Sequence, residues 1–129
     1  MLVAGAVLGA LAVASGAFGA HALDGVLDAR ARGWYDTAVT YHASHAPALL
    51  ACGLLYPRAA APPGRARVPL GLAAIAFLAG VALFSGSLYA MAFTGLTALG
   101  MITPLGGLAL IVGWTLLAVA AARLPATLS

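Results

Sequence analysis

The chain has 129 residues, 64% of them hydrophobic and only 7% charged, with a mean hydropathy of +1.06. Soluble domains carry about 25% charged residues, so six arginines and three aspartates cannot clothe a water-facing surface, and the bilayer must be the main solvent. The arginines are spread along the chain and form no nucleic-acid patch, while the single Cys52 excludes a disulfide within the chain.

A membrane helix needs about 20 apolar residues, and four such segments occur in order. The first, residues 2–23, is apolar throughout and rich in Gly and Ala. Ala20-His21-Ala22 imitates a signal-peptide cleavage site, but a basic leader is missing and the apolar run is too long, so a retained span is expected. Asp24 to Asp36 holds all three acids with Arg30 and Arg32, and is expected to form a short amphipathic helix on the interface. Trp34 and Tyr35 within it suit the headgroup level as interface anchors.

The second segment, residues 37–56, contains Pro47, which a membrane helix tolerates with a kink. Residues 57–67, with three prolines and three arginines, are expected to be an irregular loop. The third and fourth segments, residues 68–93 and 102–122, are joined by a short Gly- and Thr-containing turn, and Thr103-Pro104 fits a helix start with Thr as cap. The expected fold is an all-α, integral membrane four-helix bundle of one domain, residues 1–129. Four spans place both termini on one side. Arg58, Arg65, Arg67 and Arg123 gather there, against Arg30 and Arg32 on the other, so the positive-inside bias puts both termini in the cytoplasm.

Lipid supplies no hydrophobic drive between helices, so small residues mark contacts. Gly5, Gly9, Gly16 and Gly19 on the first segment, and Gly80, Ser87, Gly106 and Gly113 on the last two, offer such faces. They pack helices within one chain or join copies, so a second copy or another membrane protein stays open as partner.

In this topology the histidines and most hydroxyls belong to the outer half: His21, His42, His45, Ser85, Ser87, Tyr89 and Thr103. On the second segment Trp34, Thr37 or Ala38, Tyr41, His45, Ala48 and Cys52 share a helix face at spacings of three and four. A polar side chain at such depth is costly unless paired, so His21, Tyr41, His45, Ser85, Ser87 and Tyr89 form the candidate polar cluster. One use is structural, each imidazole tying helices together. A second is a site for a small molecule, a proton or a lipid headgroup, lined by His21, Tyr41 and His45. A third and weaker one is haem or metal ligation, against which stand the absence of a His-Glu-x-x-His pattern, a Cys pair or an intramembrane carboxylate. No nucleophile set, phosphate loop or dinucleotide fingerprint is present, so no catalytic residue, metal or cofactor is assigned.

Gly16-Ala17-Phe18-Gly19-Ala20-His21, Trp34 with Thr37-Ala38, Tyr41-x-x-x-His45-Ala46, Phe84-Ser85-Gly86-Ser87-Leu88-Tyr89, Thr103-Pro104-x-Gly106-Gly107 and Gly113-Trp114 follow one another in order. Over nearly the whole chain they resemble the family of small inner-membrane proteins catalogued as domain of unknown function 423. The resemblance implies four membrane helices and, in bacteria, the cytoplasmic membrane, and supplies no activity. It puts His21, Trp34, Tyr41, His45, Ser85, Ser87, Tyr89, Thr103 and Pro104 on family motif positions. His42 and Pro47 depart from that pattern, which favours His45 with His21 over an adjacent His42/His45 pair.

Overall fold

The computed structural model describes residues 1–59 and 64–124. It contains four α-helices, α1 (Leu2–His21), α2 (Ala29–Ala59), α3 (Arg67–Thr94) and α4 (Thr103–Ala122), with a 3-10 turn over Thr97–Met101. No strand occurs among the described residues. Helices α1 and α3, and α4 together with the turn before it, are each long and apolar enough to cross a bilayer. Helix α2 is the longest at 31 residues, about 46 Å, but falls short of them in apolar character, because its hydroxyls and histidines are interspersed along it.

The expected amphipathic helix over Asp24–Asp36 is absent. Residues 24–28 form turns, and α2 then runs without interruption from Ala29 through Pro47 and Pro57. The cause is local: the Asp28 carboxylate accepts the Ala31 backbone N–H at 2.8 Å, filling one of the orphan donors at the helix start. Arg32 then pairs with Asp36 one turn on, at 3.0 Å. The Pro-rich loop begins later than expected, and its centre, residues 60–63, lies outside the described residues. At the other helix start, Thr103 makes no capping bond. It is the first helical residue, and its hydroxyl reaches Ser87 on α3 at 2.8 Å instead.

The helices pack in chain order, α1 on α2, α2 on α3 and α3 on α4, each antiparallel to the next. Glycines set the closest approaches. A Cβ at Gly5 would meet the Leu50 backbone N at 2.9 Å, one at Gly53 the Leu2 backbone N at 2.9 Å, and one at Gly106 the Phe84 Cα at 2.7 Å. Gly113 lies against the Phe77 ring and Gly19 against the Tyr35 ring. Hydrogen bonds and dispersion gain from such contact where lipid cannot drive association. The main core lies between α2, α3 and α4, where Leu49, Cys52, Leu70 and Phe77 are fully enclosed. Most of the surface of α1 and α4 is exposed and apolar.

A layered polar cluster between the helices

The register separates the expected histidine pair. Gly19 lies against Tyr35, Gly9 against Ala46 and Gly5 against Leu50, so each step up α1 is a step down α2. His21, exposed at the end of α1, is therefore level with Gly33 and Trp34. His45 lies about 16 Å further along α2 at 1.5 Å per residue. The two do not meet, and a site spanning both is absent from this arrangement.

His45 instead joins a layer in the middle of the array. Its Nε2 accepts the indole N–H of Trp114 on α4 at 3.1 Å, and its Nδ1 stands 2.7 Å from the Tyr41 carbonyl one turn back. An acceptor role at Nε2 fixes the neutral tautomer with the proton on Nδ1, which donates to that carbonyl. Both ring nitrogens are thus satisfied within the chain. Phe77 of α3 closes the layer, its ring 5.8 Å from His45 and 5.3 Å from Trp114. Tyr41 stacks on His45 at 6.0 Å and packs on Phe84 at 4.3 Å, yet its side chain stays 41% exposed. It sits at the edge of the helix contact, because α2 is covered on two sides and its buried stripe runs through Ala38, His42, His45, Leu49 and Cys52.

A second layer joins α1, α2 and α3 nearer the Asp-rich end. Tyr35 is only 2% exposed and donates its hydroxyl to the Ser15 carbonyl of α1 at 2.6 Å. Its ring meets Tyr89 edge-on at 5.3 Å and Phe93 at 5.8 Å. Expected as an interface anchor, Tyr35 is a helix-to-helix tie. Its neighbour Trp34 is half-buried and carries the Arg30 guanidinium 5.7 Å over its ring. His42 is buried beside this layer with Nδ1 3.4 Å from the Tyr89 hydroxyl.

The family-motif serines divide. Ser87 donates to the Phe84 carbonyl at 2.9 Å or shares its proton with Thr103 at 2.8 Å, bracing α3 on α4. Ser85, 1% exposed and one turn before Tyr89, has no hydrogen-bond partner, and neither does His42 Nε2. These are the two buried side-chain polar atoms left without a partner among the described residues. Among those residues no three His, Cys, Asp or Glu side chains gather as a metal would require. Sequence reasoning passed over Ser15 and Trp114 as polar partners. The Ser15 partner is its backbone carbonyl, which no side chain announces, whereas a Trp in mid-helix, away from either interface, was an available signal.

Apolar helices packed through glycine, with a polar seam of aromatic and hydroxyl groups sealed between them, define a multi-pass membrane protein. The chain belongs to the DUF423 family of proteins of unknown function, whose model matches residues 15–107. It is 39% identical to the UPF0382 membrane protein YwdK of Bacillus subtilis over 95% of each chain. To the UPF0382 inner membrane protein YgdD of Escherichia coli K12 it is 36% identical, over 96% of this chain and 90% of YgdD. A UPF0382 membrane protein of Staphylococcus epidermidis is 37% identical over 92% of each chain. No solved structure matches the chain.

Proposed function

We propose that this is a non-enzymatic protein of the cytoplasmic membrane, an accessory subunit or interaction partner with four spans and both termini in the cytoplasm. One observation carries the reading: both nitrogens of the buried His45 are used up by Trp114 and the Tyr41 carbonyl. A histidine so committed holds helices in register and has no lone pair or proton to offer a substrate. Partners then have the outward faces of α1 and α4 to bind, where Val7, Leu11, Ile111 and Val112 are exposed.

Benzophenone side chains installed singly at those four positions test this in living membranes. A discrete protein adduct confined to one face is expected, and lipid adducts alone from every position would overturn the reading.

A second reading is favoured by the unpartnered His42 Nε2 on α2 and Ser85 Oγ on α3. Buried polar atoms are rarely left alone, and a small polar ligand or a proton held there would satisfy them. The stability of a Ser85→Ala variant separates the two readings.

A further inference from the structure

A cavity among the described residues lies outside both polar layers. It is a groove of about 480 Å³ at the arginine end, where the start of α1, the end of α2 and the start of α3 meet. Its walls are apolar: Val68, Leu72, Ile75 and Leu78 line it along one face of α3. From Val68 to Leu78 that face runs about 15 Å at 1.5 Å per residue.

One end of the groove carries a cation held in place. The Arg67 guanidinium lies 5.3 Å from the centre of the Tyr56 ring, and its Nε donates to the Tyr56 hydroxyl at 3.0 Å. That bond uses one of five guanidinium donors and leaves the η nitrogens for another acceptor. Among the described residues no acid lines the groove. Arg58 and Arg65 lie on the same end of the molecule, whereas Asp24, Asp28 and Asp36 all lie at the opposite end. Among the described residues the only ion pair is Arg32–Asp36, at that opposite end.

We infer that this groove seats one anionic phospholipid, its phosphate on the Arg67 guanidinium and an acyl chain along Leu72, Ile75 and Leu78. Two features call for a lipid and not a free anion. The wall is apolar over a length that a phosphate alone cannot use, and basic pockets beside membrane helices take up anionic headgroups. Tyr56 acts as the positioning residue: it presents the guanidinium as a flat fork, the geometry that suits phosphate oxygens.

Native mass spectrometry of the detergent-purified full chain tests the site, with phosphatidylglycerol and phosphatidylcholine of identical acyl chains as probes. A one-lipid adduct favouring phosphatidylglycerol about tenfold is expected: both lipids carry the phosphate, but in phosphatidylcholine the choline ammonium offsets its charge against Arg67. Arg67→Gln brings phosphatidylglycerol down to the phosphatidylcholine level, and Ile75→Trp, which fills the groove, weakens both lipids. Arg123→Gln, away from the groove, changes neither, and glycerol 3-phosphate in excess does not compete. The inference is overturned if the wild-type chain takes both lipids equally, if Arg67→Gln and Arg123→Gln act alike, if Ile75→Trp has no effect, or if glycerol 3-phosphate displaces the lipid.

Discussion

The indole N–H of Trp114 reaches across from α4 to a histidine on α2, helices that are not neighbours in the chain. In water such a bond trades against solvent. In the membrane interior the competing partners are few, and interhelical side-chain bonds contribute about 0.6 kcal/mol on average, rarely above about 1.7. Trp114→Phe keeps an aromatic ring beside Phe77 and removes the N–H donor with part of the indole, leaving His45 Nε2 bare. A loss of about 1 kcal/mol is expected in reversible unfolding from mixed micelles. Ser85→Ala, in contrast, deletes a hydroxyl that bonds to nothing, so stability holds or rises. A loss comparable to that of Trp114→Phe would mean that Ser85 has a bound partner, and would favour the ligand reading. The sequence singled out His45 because a histidine in an apolar run demands a partner. It could not identify Trp114, since that pairing depends on how α3 brings α4 alongside α2. Tyr35 was misplaced for a related reason: an aromatic near an acidic turn looks interfacial until its rotation about α2 is known.

At the level of helices, the small-residue stripes were readable and their depth was not. Gly80, Gly106 and Gly113 do make the close face between α3 and α4, and Gly5 does so on α1. Gly9 and Gly16 stand off at ordinary contact distances, 3.9 and 3.7 Å, and Gly53 on α2 was unanticipated. Spacing marks which residues share a face, whereas the crossing point of two helices decides which of them touch backbone. Gly106→Val places a branched side chain against the Phe84 backbone, which cannot rotate aside, so a loss of about 1–3 kcal/mol or more is expected. Gly86, on the same α3 helix, has open space where a Cβ would go. Gly86→Ala is tolerated, with a gain of up to about 1 kcal/mol from helix propensity. Comparable losses for the two variants in the same unfolding assay would contradict the packing described here. The start of α2 was readable in principle from Asp28 as a cap, but the charged run after it suggested a surface helix instead.

Across the whole molecule, antiparallel packing in chain order sorts the charges. Arg58, Arg65, Arg67 and Arg123 fall at one end without an acid, and Arg30 and Arg32 at the other among three aspartates. The proposed orientation rests on that bias, which favours the richer end in the cytoplasm. With Cys52 replaced by Ser, single cysteines at Arg65, Arg123 and Asp28 report the outcome. A membrane-impermeant maleimide added to intact cells labels Asp28→Cys alone, and labelling at Arg65→Cys or Arg123→Cys instead would reverse the proposed topology.

The interior of this array is also where its least apolar helix lies, and that has a consequence for biosynthesis. Helix α2 enters the membrane with Thr37, Thr40 and Ser44 bonded to its own carbonyls and Tyr35 bonded to α1. Its two histidines draw on later helices, His42 on Tyr89 of α3 and His45 on Trp114 of α4. On leaving the ribosome it meets none of the later partners. Its place between the helices is therefore provisional until α3 and α4 have been made, and Trp114 of α4 closes the bond that secures His45.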